Sequence, residues 1–299
     1  MTAVAETDFT ELDLEAFSNL VYAMRHRVAS PRPGNHASRS PGSMGRFAGL
    51  YSVIDEADVR RLDLRASIAD PFETVWIRRY QHAASGPVQI LLDLSGSMGF
   101  EGTVSRRDVA VALAAGLTKT AIRAGDKVGV HAATGDDPDA YILRPTRRAS
   151  AAAEVAAALR EVSPKGAGLA GLVGAISAMP QSPSLVFLIS DFAAPIEQVR
   201  NVLDALAMHD VRPIIVRDPD AEMPPSRFGL AQLADLESGA RGMVFLRPSL
   251  LEEWGRRREA HARALSRLFF EFGCRPLHVT GQIDLDDLAE AMMTGGVPI

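Results

Sequence analysis

The chain has 299 residues, 47% apolar and 23% charged, a balance that supplies a sizeable core and excludes a disordered polymer. A formal charge of −5 gives no bulk attraction to nucleic acid or to an anionic membrane surface. Cys274 is the single cysteine, which excludes an intrachain disulfide and a multi-cysteine metal cluster.

The amino terminus, MTAVAETDFTELDLEAF, is acidic where a signal peptide needs a basic start and an apolar core. No run approaches the roughly 18 apolar residues of a membrane span. These features lead us to expect a cytoplasmic chain without a membrane span.

Residues 12–28 place apolar side chains at helical spacing and predict an amphipathic helix. The stretch SPRPGNHASRSPGSMGRF that follows is rich in Gly, Pro and Ser and reads as an irregular loop. From Phe17 to Ile54 there is no acidic residue, while Arg25, Arg27, Arg32, Arg39 and Arg46 all fall there. Such a basic segment can grip an acidic partner or pair with the chain's own acidic surface. FETVWIRRY alternates as a strand does, and residues 1–85 read as a small N-terminal region of helix, loop and strand.

From residue 86 to 299 short apolar runs alternate with helical segments. PVQILLD, DKVGVHAAT, AYILRP, SLVFLISD, VRPIIVRD and RPLHVT read as strands, and GMVFLRP is a further short apolar run. Helical spacing marks SRRDVAVALAAGLTKTAIRAG, AAAEVAAALREV, LAGLVGAISAM, PIEQVRNVLDALAMH, SLLEEWGRRREAHARALSRLFFEFG and LDDLAEAMM. Runs such as ILLD, VFLIS and PIIV lack alternation, as a parallel sheet covered on both faces requires. The predicted class is α/β, with a doubly wound, mostly parallel sheet.

In such sheets ligands bind beyond the carboxyl ends of the strands. Asp93 follows QILL and Asp191 follows VFLIS; Ser95 and Ser97 come after the first, Ser190 before the second. Carboxylates and hydroxyls without nitrogen or sulfur are the ligand set of a hard cation such as Mg²⁺ or Mn²⁺. In an extended turn residues 93, 95 and 97 point the same way. The two serines are spare, because Ser105 with Asp108 forms the capping box of the next helix.

Asp93, Ser95 and Ser97 match the D-x-S-x-S motif of von Willebrand factor A domains, and Asp191 resembles their later metal-site aspartate. The upstream DVRRLDLRASIADPFETVWIRRY resembles a narrower group, the prokaryotic von Willebrand A family of unknown function associated with MoxR-type AAA+ ATPases. Where that family usually carries an aspartate-tryptophan pair, this chain has Asp63 and Leu64. The resemblance implies a Rossmann-like sheet with a metal-ion-dependent adhesion site. Ser95 and Ser97 would hold the ion directly, Asp93 and Asp191 directly or through water, and a partner's acidic side chain would complete it. It further implies a non-enzymatic interaction module that acts with a MoxR-type AAA+ ATPase in chaperone-like maturation or remodelling of a client protein. Ala167 stands where the family's site threonine is expected, which lowers the expected affinity and leaves that position to water.

A rival motif lies in the same loop. Gly166, Gly168 and Gly171 spell G-x-G-x-x-G with Asp191 20 residues beyond, the pattern of a nucleotide-cofactor-binding oxidoreductase. That chemistry requires a strand ending near Lys165, whereas the residues before it read as helix. Ser97 with Gly99 is an incomplete nucleophile elbow, because Ser95 replaces its first glycine. The seven histidines form no H-E-x-x-H pair, and His278 in RPLHVT reads as a core residue rather than a triad base.

Overall fold

The computed structural model describes residues 11–17, 20–22, 33–42, 46–54, 62–135, 137–218, 228–237, 239–281 and 283–294. Six strands form the main sheet: β4 (Pro87–Asp93), β5 (Lys127–Ala133), β6 (Tyr141–Thr146), β7 (Leu185–Ser190), β8 (Asp210–Arg217) and β11 (Leu277–Thr280), in the order β11-β8-β7-β4-β5-β6. All neighbours pair in parallel except β6, which closes the edge antiparallel to β5. The α/β, mostly parallel expectation therefore holds.

Burial follows the unbroken apolar runs. Every residue of β7 is buried, and so is every residue of β4 after Pro87. Val88, Ile90 and Leu92 of β4 face a core shared with α3 (Arg106–Arg123), α4 (Ala151–Glu161) and α8 (Leu285–Thr294). Leu91 faces the opposite core, shared with α5 (Ala170–Ser177), α6 (Ile196–Ala205) and α7 (Pro248–Glu271). The period-2 alternation of a strand thus feeds two apolar layers at once. Gly129 of β5 makes room for the buried Gln89, since a Cβ there would lie 2.4 Å from its Oε1.

The chain leaves β4 toward β5 and β6, then returns through α4 and α5 to β7 on the other side. Strand order therefore reverses between β4 and β7, which opens a crevice at their carboxyl ends.

The N-terminal segment departs from expectation. The predicted helix over 12–28 is the short α1 (Glu11–Ala16), and the later part of that range lies largely outside the described residues. Phe17 instead packs on α3 so closely that a Cβ at Gly116 would lie 2.3 Å from its ring. Thr120 Oγ1 donates to Phe17 O at 2.7 Å, and the Tyr22 hydroxyl donates to the buried Asp126. These tertiary contacts take over where helical hydrogen bonds stop.

The Gly/Pro/Ser-rich stretch expected as a loop forms β1 (Pro33–Gly42) and β2 (Arg46–Ser52), which flank β3 (Trp76–Ala84) in a three-stranded antiparallel sheet. Both are edge strands, where proline is tolerated, and the β1 register shifts twice, between Pro33 and His36 and between Ala37 and Pro41. Distant pairing with β3 supplies what local composition conceals. Arg25, Arg27 and Arg32 of the basic segment lie outside the described residues, while Arg39 and Arg46 fall on the edge strands β1 and β2.

Asp63 caps α2 (Leu64–Ala69) by accepting from Ala66 N at 3.1 Å and pairs with Arg78 Nε of β3 at 2.7 Å. The short apolar run GMVFLRP supplies β10 (Arg241–Leu246), and an unforeseen strand, β9 (Gly229–Ala234), pairs with it as an antiparallel hairpin between β8 and α7.

Candidate functional site

Asp93 ends β4 and is 2% exposed. Its Oδ1 accepts from Ser95 N at 2.8 Å, and its Oδ2 accepts from Ser190 Oγ, at the end of β7, at 2.6 Å. The two strand ends on either side of the crevice are thereby joined through one carboxylate. Ser95 is extended, and the chain then turns through a 3₁₀ segment, Gly96–Gly99. Ser95 Oγ and Ser97 Oγ meet at 3.3 Å. The two serine hydroxyls meet, and a tight turn brings them together rather than simple alternation along an extended segment.

The loop carrying Ala167 is stitched to this turn. Gly96 N donates to Gly166 O at 2.9 Å, and Lys165 N donates to Leu94 O at 3.1 Å. Gly135 approaches the same loop, where a Cβ would lie 2.4 Å from Ala167 N. Gly166 and Gly168 take φ values of +75° and +73°, the left-handed region that glycine enters freely. What precedes them is α4, ending at Glu161, followed by irregular chain. The strand that a dinucleotide fingerprint needs before its first glycine is therefore missing, and Gly171 serves close packing against Thr134 O instead.

Asp191 follows β7 and its side chain is 4% exposed. Oδ1 accepts from Ala193 N at 3.1 Å, and Oδ2 accepts from Arg106 Nη1 at 2.7 Å. The same Arg106 nitrogen donates to Ser97 O at 3.2 Å, so Arg106 links the β7 side of the site to the serine turn. Phe192 has φ +52°, a conformation that costs energy for a side chain with a Cβ. Its N–H donates to Ser190 Oγ at 2.9 Å, its carbonyl lies 2.9 Å from His261 Nε2, and its ring meets Phe269 edge-on at 5.2 Å.

Arg106 was not singled out in the sequence, although a signal exists. It is the first residue of α3, where the helix dipole disfavours a cation, so another partner has to hold it there. Ser105 caps α3 as expected, its Oγ accepting from Asp108 N at 3.2 Å. Pro195 occupies the cap position of α6 and Ile196 begins the helix. Among the described residues the partner of Ser97 Oγ is Ser95 Oγ, not a histidine, which leaves the hydrolase reading without a base.

Burial first, then the neighbouring Asp191 carboxylate, push Asp93 up to about 7, against the opposing hydrogen bonds from Ser190 and Ser95. Burial and the adjacent Asp191 thus make the ionised form of Asp93 costly in the metal-free site. Hard oxygens from Asp93, Ser95 and Ser97 suit a small divalent cation, with Asp191 shared between that role and Arg106. Among the described residues no group of three or more His, Cys, Asp or Glu is placed to hold a metal, so the hydroxyls are indispensable to such a site.

A model of the family "protein of unknown function DUF58" matches residues 52–263, and the chain belongs to that family. The uncharacterized protein Rv1480 of Mycobacterium tuberculosis is 28% identical over 293 residues, covering 92% of this chain and 86% of the relative. An "uncharacterized protein in moxR 3′ region" of Paracoccus denitrificans is 33% identical over 101 residues, covering 34% of this chain and 96% of the relative. Among solved structures, an aerotolerance-related membrane protein of Bacteroides fragilis matches with a TM-score of 0.43 and 19% identity, over 70% of this chain and 96% of that one. That neighbour is described as a membrane protein, which contradicts the cytoplasmic expectation. No helix among the described residues is long and apolar enough to cross a membrane, a fact that assigns no compartment.

Proposed function

We propose that the chain is a non-enzymatic interaction module of the von Willebrand A type, holding Mg²⁺ or Mn²⁺ through Asp93, Ser95 and Ser97 with Asp191 in support. The observation that carries this reading is the meeting of the Ser95 and Ser97 hydroxyls, 3.3 Å apart, beside the Asp93 carboxylate at the carboxyl end of β4. A bound cation would supply a Lewis-acidic position for a partner's carboxylate. Arg106 offsets the negative charge of Asp191, so an entering acidic side chain meets less repulsion.

The partner in this reading is a MoxR-type AAA+ ATPase, or the client it remodels, in chaperone-like maturation. The Paracoccus denitrificans relative, whose description places it beside moxR, supports that choice. Ala167 brings no side-chain oxygen to the site, so water completes the coordination and affinity is modest.

The test is Asp93→Ala. Calorimetry with Mn²⁺ should register binding to the native chain and none to the variant, and the variant should no longer capture the MoxR-type ATPase in a pull-down. Capture equal to that of the native chain would refute the metal-bridged mechanism.

A further inference from the structure

Both oxygens of Asp191 are engaged. Oδ1 accepts from Ala193 N at 3.1 Å and Oδ2 from Arg106 Nη1 at 2.7 Å, in a pair whose side chains are only 4% and 14% exposed. A cation at the serine turn that draws on Asp191 therefore meets a guanidinium already seated on that carboxylate. Two positive charges repel strongly at such range in a shielded setting, so the ion and Arg106 compete for Oδ2.

Arg106 is held in a way that lets it be displaced. A single nitrogen, Nη1, serves both Asp191 Oδ2 and, at 3.2 Å, Ser97 O, in place of the two-pronged pairing that makes arginine–carboxylate contacts strong. Its Nε is buried and has no hydrogen-bond partner among the described residues, an unmade bond that costs stability. Arg106 is also the first residue of α3, where the helix dipole opposes a cation. A second seat lies beside it, because its Cζ is 5.1 Å from the centre of the Phe100 ring.

We infer that Arg106 is a built-in competitor of the cation. Before the ion arrives, the guanidinium neutralises Asp191 and ties the end of β7 to the serine turn; the arriving ion takes over Asp191 Oδ2 and Arg106 withdraws over Phe100. The inference rests on the function proposed above and deepens it: Arg106 sets the ion concentration at which the site fills, and Asp191 serves as a ligand only as Arg106 lets go. Arg106 is in this sense a positioning residue for Asp191.

Calorimetric titration with Mn²⁺ is the test. Arg106→Gln, which keeps a donor for Ser97 O but carries no charge, should bind Mn²⁺ about tenfold more tightly than the native chain. Arg106→Met, which covers Phe100 without charge, carries the same prediction, whereas Arg106→Lys keeps the charge and should stay within about threefold of native. A merely structural role predicts the opposite sign, since a loosened turn weakens the site. Cooperative urea unfolding in EDTA reports the fold of each variant. Asp191→Asn should weaken binding, and adding Arg106→Gln to it should recover less than about threefold. Mn²⁺ binding by Arg106→Gln no tighter than that of a native chain that does bind would overturn the competition and leave the metal site standing. The full gain on the Asp191→Asn background would also overturn it, by revealing a general charge effect in place of a contest for one carboxylate. Binding by Arg106→Gln alone would support a competitor strong enough to keep the native site closed. No binding by either chain would refute the metal site and the competition together.

Discussion

The six-stranded sheet and the β9–β10 hairpin are built from similar apolar residues used in opposite ways. In the sheet Ile90, Leu91 and Leu92 are fully buried, and two apolar layers hold the strand ends in fixed register. In the hairpin Leu230 is 65% exposed, Met243 61% and Phe245 53%, so the same side-chain chemistry contributes little to the core. The N-terminal sheet region behaves similarly, with Phe72 86% and Ile68 84% exposed. Rigidity is concentrated under Asp93 and the serine turn, and the elements around the rim are attached to it by few contacts.

The most forceful way to break this contrast is to cut the same side chain in both regions. Leu91→Ala should cost about 3 kcal/mol, because it leaves a void between packed layers. Leu230→Ala should change stability by no more than about 0.5 kcal/mol. Urea unfolding of both variants checks the pair, and equal losses would show that the hairpin is part of the core. Next in size is the joint between the regions. Gly96→Ala drives a methyl into the Leu236 carbonyl and should cost about 2 kcal/mol or detach the hairpin, detectable by denaturation and by proteolysis near residues 235–240.

The effect that is smallest per step of the titration lies inside the rigid region, and it accumulates with pH. Asp93 keeps its proton in the folded chain up to about pH 7 but releases it near 3.9 when unfolded, so stability of the metal-free protein should fall as pH rises from about 4 to about 7. The slope for one such proton approaches about 1.4 kcal/mol per pH unit. Asp93→Asn cannot ionise and should flatten that decline. An unchanged slope in the variant would locate the titrating group elsewhere.

The same contrast explains what the sequence made legible. Strands buried on both faces must be apolar throughout, so PVQILLD, SLVFLIS and VRPIIV identified themselves, and with them the strand ends where Asp93 and Asp191 belong. The clustering of Ser95 with Ser97 followed from those ends. β1 was hidden because an edge strand draws its order from the distant β3 rather than from its own residues. β9 was hidden because its pairing with β10 is specified by a hairpin with one exposed face. Arg106 was hidden by distance, since its partner Asp191 lies 85 positions away in the chain. His261 reached the site in the same way, from 69 positions beyond Phe192.

The central claim is that oxygens of the β4 turn hold a cation at the crevice. Anomalous scattering from a crystal soaked in Mn²⁺ tests it most directly. The account predicts a peak about 2.1–2.2 Å from Ser95 Oγ and Ser97 Oγ and close to Asp93. An ordered crystal with Mn²⁺ bound elsewhere, or with no peak beside the two serines, would contradict it.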